Sequence, residues 1–284
     1  MATTEAAARA GTGSRLLTWV RRHRFELLLV SPLVLYMTVL TLAPILDTIR
    51  ISFTERDSLA FPSLASYQFV FQSEVFRDAV VNTVIVALLS LTLELTIGMG
   101  VALALHVPFR GRGFVRTVML VPLGVPTIVS GAVMLLLFSR SGYVNALLAG
   151  FYDILPGGGE FQNVNWTSGG VLTLLTIAIA DMWKVLPVVT LIFLAGLQSI
   201  PDEVYEAADV DGATKWQRFV RITLPLLIPY VTMALILRAI DVFRIFELAL
   251  VIGGIRVAPV LGTYIGSRYL PPSSDPFTAA AGSM

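Results

Sequence analysis

The chain has 284 residues, 56% of them hydrophobic and only 14% charged, with a net charge of +1; an ordinary soluble domain carries roughly 25% charged residues. Near-neutrality excludes the basic field that nucleic acid demands. The lack of cysteine excludes disulfides, thiolate metal sites and a Cys nucleophile. HExxH, Gly-x-Ser-x-Gly and the Gly-x4-Gly-Lys phosphate loop are also missing, so an enzyme is not expected. With a strongly positive mean hydropathy, the composition is that of a polytopic all-α membrane protein, whose helices need ~20 apolar residues to cross a ~30 Å core.

In chain order, residues 1–25 form a basic leader with five arginines. A first span is predicted over Leu27–Leu46. The arginines before it (Arg15, Arg21, Arg22, Arg24) also suit a signal peptide, but the apolar run exceeds the ~7–15 residues of such a segment and lacks a small-residue cleavage site. A second span covers Val81–Leu105, interrupted only by Glu94, and a third Val115–Phe138. The fourth, Val171–Leu197, contains Asp181 and Lys184, and the fifth runs from Ile222 to about Ile240. After a turn at Pro271-Pro272-Ser273-Ser274-Asp275-Pro276, residues Phe277–Met284 read as the opening of a sixth span, and the chain is expected to stop short of that helix. Residues 26–284 thus form one transmembrane domain.

Basic residues in short loops set direction. The leader, the Arg110/Arg112/Arg116 turn and the Lys215/Arg218/Arg221 loop are expected in the cytoplasm. The long 139–170 loop, with Arg140 as its one basic residue and a Pro156-Gly157-Gly158-Gly159 run, is expected outside.

One polar stretch stands out between spans four and five, EAADVDGATKWQRFVRITLPLLIP, residues 206–229. Ser199 followed by Asp202 predicts a capped helix start, with Pro201 and the acids Asp202 and Glu203 suited to the first turn. Gly212 predicts the helix end. A second helix then carries Lys215, Arg218 and Arg221 at spacings of three, and Pro225 and Pro229 predict a loosened or kinked base to span five. On spacing alone, this loop (199–222) is equally an ordinary interfacial helix.

The sequence Glu-Ala-Ala-x-x-Asp-Gly-Ala with the downstream Leu224-Pro225 and Pro229 closely resembles the EAA motif of ABC-importer permease subunits. So do Phe109–Arg116 with Leu120-Val121-Pro122, Asp181–Lys184, Leu194–Pro201 and Arg238–Phe246, which are similar to the carbohydrate permeases of the maltose, trehalose and glycerol-phosphate type. The outer Gly-Gly-Gly-Pro element of many relatives is represented only by Gly253-Gly254. The resemblance implies an ABC importer permease fold and a coupling helix in which Glu206, Ala207, Ala208, Asp211 and Gly212 meet a separate ATPase. It also implies an inner-membrane complex with a second, homologous permease, two ATP-binding subunits and an extracytoplasmic substrate-binding protein. ATP and magnesium would sit on the ATPase, and this chain would hold no cofactor of its own.

Ionisable groups inside a span cost at least ~2.5–3.5 kcal/mol and should face the bundle or a water path. Lys184 stands three residues after Asp181 on the same helix face and is expected to neutralise it, unless the two meet sugar hydroxyls instead. Glu94 is expected to find a partner on the second permease or a structural hydrogen bond. Arg238, Asp241, Arg244 and Glu247 recur at helical spacing and read either as an interfacial salt-bridge cluster or as an outer gate or a contact to the binding protein that delivers substrate. Trp183, Phe243, Phe246 and Tyr264 either pack or stack on sugar rings. An ion-coupled secondary transporter relaying through Asp181 and Glu94 is the alternative, but the internal repeat such folds carry is not found. A membrane enzyme would need a paired catalytic constellation that is likewise not found. The sugar stays open among maltose, trehalose, other oligosaccharides and glycerol-3-phosphate; the lack of a basic midplane cluster disfavours the last.

Overall fold

Proline and capping chemistry set where the helices begin, widen and break. In a computed structural model, which describes Trp19 and residues 22–55, 58–154, 161–269 and 275–284, no strand is present among the described residues. Helix α1, Arg24–Ser52, is followed by short α2, Ala65–Gln72, and by α3, Glu74–His106. Ser73 caps α3 by accepting from the Phe76 N–H, and the helix stops where Pro108 holds Val107 extended. Then come α4, Arg112–Gly124, α5, Thr127–Leu137, and α6, Tyr143–Ile154. The long α7, Gly170–Gln198, leads to α8, Asp202–Val210, and α9, Lys215–Phe243. The chain continues through α10, Glu247–Ile252, α11, Gly254–Val257, α12, Leu261–Tyr269, and α13, Pro276–Ser283.

Helices α1, α3, α7 and α9 are each long and apolar enough to span a membrane. The third expected span is not one helix: α4 and α5 meet at 101°. Pro126 supplies the cause, because it pushes Val125 into an extended conformation (φ −84°, ψ 128°) that no helix can include. The proline loosening expected in the fifth span takes the form of a π-helical turn, Phe219–Thr223, rather than a break. An equivalent turn, Thr38–Leu42, widens α1. Both end two residues before a proline, Pro225 and Pro44. Widening the turn relieves the clash between the proline ring and the carbonyl four residues back.

Helix α7 lies along α3, and α9 packs on both. Two apolar layers pack around these helices, the first joining α3 and α7 to α5 and α10 and the second joining all three. One gathers Val86, Met134, Phe138, Ile177, Ala180 and Leu248; the other gathers Ala102, Leu105, Val189, Phe193, Leu197 and Leu227. Helix α10 packs on α5, and α13 packs on α1, α2 and α12. In the 139–170 loop, Asn145 donates to the Val164 carbonyl at 2.8 Å and accepts from the Trp166 indole at 3.1 Å, pinning the loop to α6. The Gly157–Gly159 run, the Pro271–Ser274 turn and the basic residues Arg15 and Arg21 lie outside the described residues. Helix α1 leaves almost all its leucines exposed, the surface a bilayer or another apolar subunit would cover.

Candidate functional site

Between the two apolar layers the three central helices bring charge together. Arg238 of α9 is 2% exposed and Glu94 of α3 is 0% exposed. The guanidinium grips Glu94 with a two-pronged fork, Nε to Oε2 and Nη2 to Oε1, both at 2.8 Å. Its Nη2 also donates to Asp181 Oδ2 of α7 at 2.9 Å, and Nη1 to Asp241 Oδ2 at 3.3 Å. One fixed cation thus answers two buried carboxylates and a third at the edge, a geometry for which the planar, permanently charged arginine side chain is suited.

The expected Asp181–Lys184 pair is not formed. Lys184 Nζ instead donates to the Val125 carbonyl at 2.6 Å, an acceptor set free by the break between α4 and α5. Asp181 turns to Arg238, which offers a second helix's charge at better geometry than a neighbour on its own. Glu94 likewise finds its partner within this chain. The expected interfacial run of four charges is also split. Arg238 is buried, and α9 ends at Phe243, so Arg244 lies past the helix and Glu247 opens α10. Trp183 packs on the apolar layer around Ile177. Tyr264 is buried, and Phe243 is half exposed at 48%.

A cavity of about 410 Å³ lies beside the cluster, lined by Asp181, Lys184, Arg238, Asp241, Arg244 and Glu247 together with Thr127 and Phe246. Its charged lining is balanced, three carboxylates against three bases. Such a wall offers hydrogen-bond donors and acceptors in quantity, and with Glu94 held on Arg238 behind it there is no excess of positive charge, which fits an uncharged polyhydroxyl ligand better than an anion. Thr127 and the Val125 carbonyl were not legible as site elements, since both depend on the helix break; Pro126 was the signal that could have located them.

The 199–222 loop is a second built feature. Ser199 does not cap α8: its hydroxyl turns back to the Gly196 carbonyl at 2.7 Å at the end of α7, and Pro201 occupies the start of α8 with no side-chain cap. The end of α8 is closed by paired bonds, Ala213 N–H to Ala208 O (2.9 Å) and Gly212 N–H to Asp209 O (3.1 Å). That pattern requires a left-handed residue, and Gly212 supplies it at φ +72°. Immediately after, Thr214 and Gln217 exchange hydrogen bonds as a capping box that starts α9. Asp209 and Arg218 pair across the turn at 2.5 and 2.7 Å, and the Tyr205 hydroxyl meets that of Thr223 at 3.1 Å. Ala208 is buried beneath α8, while Glu206, Ala207, Asp211 and Gly212 are exposed. Val210 (88% exposed) and Trp216 (71% exposed) add apolar surface around them.

The motif-bearing part of the chain matches a family model. Residues 95–281 fit that of the binding-protein-dependent transport system inner membrane component. The chain is 37% identical over 240 residues to the trehalose/maltose transport system permease protein MalF of Thermococcus litoralis, covering 82% of this chain and 78% of that one. It is 32% identical over 262 residues to the trehalose transport system permease protein SugA of Mycobacterium tuberculosis, covering 88% and 78%. A crystal structure of a bacterial ABC transporter involved in the import of the acidic polysaccharide alginate superposes with a TM-score of 0.80 at 25% identity, covering 95% of this chain and 92% of that one. The chain therefore belongs to the family of inner-membrane components of binding-protein-dependent transport systems, as a multi-pass permease subunit.

Proposed function

We propose that the chain forms half of the translocation pathway of an ATP-driven sugar importer, and that the 199–222 loop docks on a separate ATPase subunit. The observation that carries this reading is the continuity of α9. It starts at the closed Gly212 turn and runs without interruption to Arg238 and the polar cavity. The exposed face of Glu206, Ala207, Asp211 and Gly212, with Val210 and Trp216, gives the ATPase a mixed polar and apolar surface. The complex is completed by a second, homologous permease, two ATPase copies that bind ATP and magnesium, and an extracytoplasmic binding protein. The N-terminus and the docking loop face the cytoplasm, in keeping with their basic residues. Alternating access follows when closure of the ATPases moves the docked loops.

The substrate is an uncharged di- or oligosaccharide of the trehalose or maltose kind. The balanced cavity lining supports a neutral sugar over an acidic one such as the alginate of the structural relative, and two relatives carry names for trehalose or trehalose and maltose transport. A proton or sodium relay through Asp181 and Glu94 gains no support, because Arg238 already engages both carboxylates.

Purification of the tagged chain from its native membrane tests this. An ATPase subunit is expected to co-purify, and Glu206→Lys is expected to leave the chain in the membrane while abolishing uptake of labelled trehalose and maltose. Uptake that persists without the ATPase, driven by a proton gradient, overturns the reading.

A further inference from the structure

A second cavity, of about 420 Å³, lies at the opposite end of the helix trio, where α3 finishes, α7 finishes and α9 begins. Its lining combines the basic side chains His106, Lys215 and Arg218 with the apolar Val107, Leu197 and Phe219. His106 Nδ1 is sealed from solvent and has no hydrogen-bond partner among the described residues. Lys215 makes no ion pair among them, and Arg218 spends only Nη1 on Asp209. The lining is therefore cationic through Lys215 and Arg218. The cavity also sits where two helices long and apolar enough to span a membrane end and a third begins, the place where a bilayer's headgroups would meet them. Val107 and Phe219 line the cavity itself, and Val107 is largely exposed. Aromatic and apolar residues of this kind mark the membrane–water boundary.

We infer that this cavity binds the phosphate headgroup of an anionic phospholipid, with His106, Lys215 and Arg218 on the phosphate and the apolar lining along the upper acyl chain. A phosphate group asks for several N–H donors around one centre, and basic pockets between helices at a membrane face are the form that lipid-headgroup sites take. A soluble phosphate has the same charge but no use for the apolar half of the lining, so the lipid fits the whole cavity. Lys215 and Arg218 belong to the 199–222 loop, so the inference rests on the basic side of that loop lying at the membrane face while the Glu206 side meets the ATPase. Lipid retention is read independently of the sugar.

Native mass spectrometry of the assembled transporter tests it, after exchange into equal phosphatidylglycerol and phosphatidylcholine. The wild type is expected to retain one phosphatidylglycerol with several-fold preference, and that lipid should withstand excess inorganic phosphate. Lys215→Gln and His106→Asn, made singly, should each bring the preference close to parity. Lys215 is exposed, so its variant reads the site without disturbing a core. Equal retention of the two lipids by the wild type overturns the proposal, as does a preference unchanged in both variants. Displacement of the lipid by phosphate shows a soluble-anion site instead and also overturns it. Sugar uptake is not the readout, so either reading can fail alone.

Discussion

Among the described residues Arg238 is the one cation in ion-pair contact with Glu94 and Asp181, so its removal leaves both as unpaired buried charges. Breaking a buried pair by deleting one side costs about 3–5 kcal/mol. Arg238→Met is therefore expected to lower the melting temperature of the detergent-extracted chain sharply. Arg238→Lys should be intermediate, because a point charge cannot reproduce the fork on Glu94. Adding Glu94→Gln and Asp181→Asn to Arg238→Met should recover most of the loss; failure to recover would mean that Arg238 acts through packing. Each of these residues is conspicuous in the sequence, since an ion inside a span must be answered by something. Their pairing is not legible there. Glu94 and Asp181 lie 144 and 57 positions from Arg238, and only the packing of α9 on both α3 and α7 selects those partners over the nearer Lys184.

At the scale of elements, the prolines and glycines decide shape. Apolar content alone made residues 115–138 look like one span, yet Pro126 forces the 101° turn that releases the Val125 carbonyl to Lys184. The closed turn at Gly212 was legible because its signal is local, a glycine straight after an acidic helix; the Thr214–Gln217 cap that follows it appears in the structure. Close helix approach leaves a weaker trace. At Gly196, where α7 meets α9, an added Cβ would stand 2.6 Å from Leu227 Cδ2 and 2.7 Å from the Tyr230 ring. Leu227 is wholly buried, so the helices must part. Overpacking of this kind costs about 1–3 kcal/mol. Gly196→Ala is expected to destabilise the chain by that amount in a thermal melt. Gly100→Ala, on α3 with open space around its Cβ position, should be stabilising or neutral, since alanine is the better helix former. Equal effects at the two sites would show that helix propensity, not contact between α7 and α9, sets the cost.

For the molecule as a whole, α9 works as a rod of 29 residues, on the order of 40 Å at ~1.5 Å per residue. One end is tied to α8 by the Asp209–Arg218 pair, and the other is tied to α3 and α7 through Arg238. A push on α8 thus reaches the cavity wall through a body with fixed joints at both ends. The sequence shows each joint's residues but not that one helix carries both, because the apolar stretch by itself suggests a shorter span starting at Ile222. The near joint separates stability from transmission. Asp209 is exposed, and ion pairs of that kind contribute only about 0.2–1 kcal/mol, so Asp209→Asn should barely shift the melting temperature. If the pair transmits motion, the same variant should lower sugar-stimulated ATP hydrolysis of the assembled transporter several-fold. The exchanged pair, Asp209→Arg with Arg218→Asp, should restore much of it, since the tie depends on opposite charge rather than on which helix carries which sign. Wild-type stimulation in Asp209→Asn would remove the pair from the transmission path and leave the hydrogen bond between the Tyr205 and Thr223 hydroxyls as the joint between α8 and α9.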